Sequence, residues 1–106
     1  FLHIDFPDPD LERRILLSRV PELPEHLAEE LVRIIGVLRG MQLKKLPSVA
    51  ETIDWAQALT LLGRRTLDTA SVEATLGTVV KYREDAERVR RVGLDGLVAA
   101  ARAEAG

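Results

Sequence analysis

LPSVAETIDWAQAL, Leu46 to Leu59, decides the fold of this chain, because it sets a helix start that little else competes with. Ser48-Val49-Ala50-Glu51 has the S-x-x-E form of a capping box. In such a box the serine oxygen accepts from the glutamate amide and the glutamate carboxylate reaches back to the serine amide. Glu51 and Asp54 add negative charge near the positive end of the helix dipole. Thr52, Trp55, Leu59 and Leu62 then share one face, with Ile53 and Ala56 beside it, and Gly63 is placed to stop the helix.

Upstream, the loop MQLKKLP (Met41–Pro47) connects to a helix predicted from about Pro24 to Leu38. Its apolar stripe is Leu27, Leu31, Ile34, Ile35 and Leu38, and Glu25, Glu29 and Glu30 lie toward its N-terminus. A shorter helix is expected over Pro9 to about Ser18, capped by Asp8, with Pro9 at a first position that needs no amide hydrogen. FLHIDF, Phe1 to Phe6, alternates apolar Leu2, Ile4 and Phe6 with Phe1, His3 and Asp5, the pattern of a strand. Nothing else reads as a strand, so its hydrogen-bonding partners are expected in sequence outside these 106 residues. Downstream, Asp68 is expected to cap a helix from Thr69 to about Lys81, with Val72, Leu76, Val79 and Val80 inward. A last helical segment is expected from about Glu84 to Ala103 with a break around Gly93 to Gly96. The sum is an all-α single domain over 1–106: a bundle of four to five short helices preceded by one orphan strand (1–6) and closed by a C-terminal helical tail (90–106).

The composition excludes several functions. Fifteen Lys and Arg against 17 Asp and Glu give a formal net charge of −2, without the basic excess of a nucleic-acid binder. The densest basic cluster, Arg88 to Arg91, follows directly on Glu84, Asp85 and Glu87, as a solvated helix face does. The absence of cysteine removes disulfides, thiolate metal sites and a cysteine nucleophile, and fits a cytoplasmic protein. No apolar run reaches the roughly 20 residues of a membrane span.

Few residues invite a chemical role. No phosphate-binding loop, dinucleotide fingerprint or zinc-protease motif is present. His3 and His26 lack the carboxylate pattern of metal ligands and read as surface residues, and Ser48 reads as a cap rather than a nucleophile. No residue is assigned to catalysis or to a metal. Trp55 suits core or interdomain packing better than stacking on an adenine ring. Lys44 and Lys45, just before the capped helix, have two readings: a solvated loop, or cations near a phosphate at a helix N-terminus.

FLHIDFPDPDLERRILLSRVP resembles the segment of MoxR-type AAA+ ATPases in which the last core strand enters the C-terminal lid. LPSVAETIDWAQAL is similar to the P-S-x-x-E-T-x-D-W-A-x-A-L signature of a branch that includes ATPases of carbon monoxide dehydrogenase maturation. LDTASVEATLGTVVKYREDAERV resembles the next lid helix and its K-Y-x-x-D segment. The likeness runs from Phe1 to about Val89. It implies a lid that covers bound nucleotide and passes motion around a homo-oligomeric ring, in a chaperone-like machine for protein or metal-cofactor maturation. ATP and Mg²⁺ would be held by a core domain of the same chain, the fragment alone would not catalyse, and a client protein would be acted on. One departure stands out. Where many such lids carry a sensor arginine, the first turn here offers Val49, Ala50 and Glu51, which leaves Lys44 or Lys45 as the nearby positive charge. From a different class, a free-standing helical interaction module fits the residues too. A helix-turn-helix nucleic-acid binder is disfavoured by the acidic balance.

Overall fold

The computed structural model describes residues 6–103, and among them the chain is all-helical, with no strand. Six α-helices follow in order: α1 (Pro9–Arg19), α2 (Glu25–Arg39), α3 (Val49–Leu61), α4 (Thr69–Thr75), α5 (Arg83–Val92) and α6 (Leu94–Ala103), with a 3₁₀ turn at Leu76–Thr78 after α4. Of the predicted strand over Phe1–Phe6, the first five residues lie outside the described part, and Phe6 has no strand structure.

The helix starts follow the caps legible in the sequence. Asp8 accepts from the Leu11 amide at 2.8 Å ahead of Pro9, and Asp68 accepts from the Ser71 amide at 2.7 Å. Both arms of the Ser48–Glu51 capping box are present: the Ser48 amide donates to Glu51 Oε1 at 2.9 Å and the Glu51 amide to Ser48 Oγ at 3.3 Å.

The helix ends are less uniform. α3 closes in a Schellman turn, in which the Gly63 amide donates to the Thr60 carbonyl and the Arg64 amide to the Leu59 carbonyl. Gly63 has φ +71°, the left-handed conformation this turn requires. Leu62 occupies the capping position of that turn and is 56% exposed, so it departs from the buried face that the helical spacing assigned to it.

The C-terminal half holds one correction and one expected break, and it is the break that brings the α-helices to six rather than four or five. The helix expected to reach Lys81 stops at Thr75, whose hydroxyl donates to the Ser71 carbonyl and accepts from the Trp55 indole N–H; the chain then tightens to the 3₁₀ turn. The final segment divides into two helices at Gly93, where φ is +107°, and Gly96 lies inside α6 rather than in the break.

The core centres on α2, which packs against α1, α3 and α6. Its five predicted stripe residues are all fully buried, joined by Ala28 and Val32. Trp55 and Leu59 of α3, Val72 of α4, Leu76, Val79 and Val80 beyond it, and Val89 of α5 complete the same cluster. From α1 only Leu16 is fully buried among the apolar residues; Leu11 is exposed.

Candidate functional site

The loop between α2 and α3 is where the buried carboxylates Glu12, Glu51 and Asp85 find partners. Arg39, the last residue of α2, anchors its first part. Its guanidinium makes a bidentate pair with Glu12 of α1, both distances 2.8 Å, and its Nε donates to the Pro47 carbonyl at 2.9 Å. The Phe6 ring lies against the same guanidinium, 4.0 Å from its carbon to the ring centroid. Glu12 is almost wholly buried, so this is an ion pair shielded from water that ties α1, α2, the lead-in to α3 and Phe6 together.

Asp85 of α5 anchors the middle of the loop. It is buried, and its two carboxylate oxygens accept from the Lys44 amide at 2.8 Å and the Lys45 amide at 3.1 Å. Backbone amides on this otherwise irregular segment need partners once buried, and one carboxylate supplies two of them. Arg88, one helical turn further on, donates to the Gln42 carbonyl at 2.6 Å.

Lys44 and Lys45 diverge. The Lys44 ammonium pairs with Glu84 of α5, and the Lys45 ammonium lies 3.4 Å from Glu51 Oε2 of α3. The Lys44 ammonium donates to the Glu84 carboxylate, and this one bond holds the ammonium above its usual pKa and the Glu84 carboxyl below its own. At Glu51, burial is the largest single influence and pushes the carboxyl up. The bonds from the Ser48 amide and hydroxyl, together with Lys45, outweigh it and leave the group lowered. The two lysines therefore act as straps from the loop to separate helices, each already on a carboxylate.

The other residues singled out from sequence take structural places. Trp55 is fully buried and donates its indole N–H to Thr75 Oγ1 at 2.6 Å, which makes it a core residue with its polar handle satisfied and unavailable to an adenine ring. Ser48 is the helix cap. His26 is exposed, with Nε2 2.9 Å from the Arg65 carbonyl, and His3 lies outside the described residues. Among the described residues, no group of three or more His, Asp or Glu side chains is placed to hold a metal, and no helix is long and apolar enough to cross a membrane.

Sequence reasoning passed over the residues that organise this region. Glu12 and Arg39 are 27 positions apart, and neither stands out from the other charged residues of its helix. Asp85 stands in the sequence as the last letter of K-Y-x-x-D and as one of the acids before the Arg88–Arg91 cluster, with nothing to mark it as buried. Its partner amides are 40 and 41 positions away, beside the P-S-x-x-E signature, so the two stretches meet at one loop.

Comparison with protein-family models, with curated proteins and with solved structures finds no match for this chain.

Proposed function

We propose that this chain is the C-terminal helical lid of a MoxR-like AAA+ ATPase, the part that covers nucleotide bound in a core domain and transmits the motion of ATP turnover to neighbouring subunits of a ring. The work of such a machine would be maturation of a protein or metal cofactor. The lid itself needs no catalytic residue. It needs to move as one body, so that a displacement at its nucleotide side reaches its far side undiminished.

The observation that supports this reading is the meeting of the two signature stretches at the α2–α3 loop. Ser48 and Glu51 of the first stretch cap α3 there, while Asp85 of the second holds the Lys44 and Lys45 amides. The Arg39 node fastens the same loop to α1 and to Phe6. A segment fixed at both ends by buried charge-assisted bonds deforms less readily than a solvated loop. Under this reading Lys44 and Lys45 have a cost to meet before either binds a phosphate, because Glu84 or Glu51 must first be displaced. The main role assigned to them is therefore to strap the loop.

The encoded sequence preceding Phe1 provides the first test. A phosphate-binding loop followed by an acidic strand supports the lid; a start codon a few residues before Phe1 overturns it. In the protein that carries such a core, Lys44→Ala with Lys45→Ala is expected to leave ATP affinity within about twofold, since removing an exposed, already paired cation changes little. A loss of about tenfold or more, measured by nucleotide titration, would instead make one of them a phosphate ligand.

One observation favours the second reading, a helical interaction module: Leu61 and Leu62 at the end of α3 are 87% and 56% exposed.

A further inference from the structure

The end of α3 and the end of α1 form a continuous groove. Its central part, ≈ 400 Å³, is lined by Arg19, Val20, Glu22, Gln57, Thr60 and Leu61. Through Arg19 it continues into a depression beside Ile15 and Ser18. Through Glu22 and Thr60 it continues the other way, to Gly63, Arg64 and Arg65. The shape is a track rather than a closed cavity.

The chemistry of the track is specific. Leu61 lines the track and Leu62, exposed at its border, follows it at the end of α3, where the Schellman turn at Gly63 holds both in place. Such turns usually cover themselves with an apolar residue just after the glycine; here that residue is Arg64, and the leucines stay uncovered. Among the described residues no ion pair engages Arg19, Arg64 or Arg65. Glu22 is the acid within the central part and at its Arg64 end. In a chain whose net charge is −2, this is a local excess of positive charge set around exposed apolar side chains.

We propose that this groove docks an acidic, leucine-bearing segment of a partner protein, with the partner's carboxylates on Arg19, Arg64 and Arg65 and its apolar side chains against Leu61 and Val20. The complementary sign sets the partner's charge, and the concavity sets its form. A planar anionic membrane would meet Leu61 and Leu62 but leave the groove between the two helix ends unfilled. A peptide side chain fills it. The inference rests on the groove and its charges alone and holds whether or not the chain is a lid.

The test uses the whole 106-residue chain. A short fluorescein-labelled peptide of glutamate and leucine, and a lysine–leucine peptide of the same length, are titrated by fluorescence anisotropy. The acidic peptide is expected to bind saturably and at least about tenfold more tightly than the basic one, because like charges are rejected across an interface. Leu61→Ala with Leu62→Ala is expected to weaken it about tenfold through faster dissociation, as truncation of a central anchor does. Arg64→Glu with Arg65→Glu is expected to slow association and to abolish most of its salt dependence. All four substituted side chains are exposed, and circular dichroism checks that each variant keeps its helices. The proposal fails if the acidic peptide does not saturate, if both peptides bind alike, or if neither variant changes binding. Leu61-dependent binding to vesicles of phosphatidylserine and phosphatidylcholine, without peptide binding, would also overturn it and make the surface a membrane contact.

Discussion

Replacing Arg39 by methionine should be among the most damaging single changes to this domain, and replacing its partner as well should undo most of the damage. Methionine keeps much of the arginine stem, so the stem's own packing is largely retained, while the contact of the guanidinium with the Phe6 ring is lost. What disappears is the guanidinium that makes two 2.8 Å bonds to Glu12 and one to the Pro47 carbonyl. Glu12, 1% exposed, is then left as a buried carboxylate without its cation. Breaking one side of such a pair costs about 3–5 kcal/mol, a large share of the roughly 5–15 kcal/mol that holds a domain folded. With a urea slope of about 1–3 kcal/mol per molar, the midpoint should fall by about 1–5 M while the slope stays constant. In the double variant Glu12→Leu with Arg39→Met, both charges are gone and an apolar contact of similar volume replaces them, an exchange that is often neutral. What remains lost is the donor to the Pro47 carbonyl, at about 1 kcal/mol, and the cation on the Phe6 ring, at about 0.5–1 kcal/mol. Urea unfolding followed by circular dichroism at neutral pH measures all three proteins. A shift below about 0.5 M for Arg39→Met would refute the reasoning, since it would mean Glu12 reaches water without its partner. A double variant no better than the single would refute it as well.

Three further outcomes follow from the same contacts. Asp85→Ala should speed hydrogen exchange at the Lys44 and Lys45 amides and cost about 1–3 kcal/mol, because two partly buried N–H groups lose their acceptor; unchanged exchange at both would contradict the clamp. Glu51 has its pKa lowered from 4.5 in the folded state, so its contribution is present above pH 4.5 and is lost as pH falls below 4.5 through the lower folded value. Glu51→Gln should therefore flatten the acid side of the stability–pH curve, and a curve parallel to wild type there would count against the capping carboxylate. Gly63→Ala should lower stability by roughly 1–2 kcal/mol through the positive φ alone, since an added Cβ meets nothing within 4 Å; a melting curve identical to wild type would show that the turn relaxes freely.

How much of this was legible in the sequence depends on the range over which each interaction acts. Caps are local: Asp8, Ser48 and Asp68 each bond to an amide three residues on, so the residue type and its spacing nearly fix the outcome. The stripe of α2 was equally legible, because a fully buried face leaves a regular period of apolar residues. The end of α4 was not. Val79 and Val80 satisfy a helical period, and the chain leaves the α-helix before them at Thr75, whose hydroxyl accepts from Trp55, 20 residues away. Leu62 fits its helical face by spacing, yet the Schellman turn carries it into solvent. Tertiary partners decide such places, and a window of sequence does not contain them. Lys44 and Lys45 show the same limit for function: their position before a helix start suggested an anion, while their actual partners, Glu84 and Glu51, come from two other elements.

The distribution of charge pairs by burial separates two jobs within the domain. Glu12, Asp85 and Glu51 are buried, and each joins separate elements or fixes the loop to a helix start. These bonds lie out of reach of salt screening, so the α1, α2 and loop assembly should hold its shape across ionic strengths. Any movement of that assembly against a neighbour therefore carries Phe6 with it, because the ring rests on Arg39. The groove arginines are the reverse case: Arg19, Arg64 and Arg65 are exposed and make no direct ion pair among the described residues, Arg64 acting on the Asp68 carboxylate only without contact, so they contribute little to holding the fold. Their electrostatic potential is spent on whatever approaches from outside, and it weakens with salt. Raising the ionic strength should thus loosen the groove's grip on an acidic partner while leaving the unfolding midpoint nearly unchanged. That separation distinguishes a surface kept for recognition from one kept for stability.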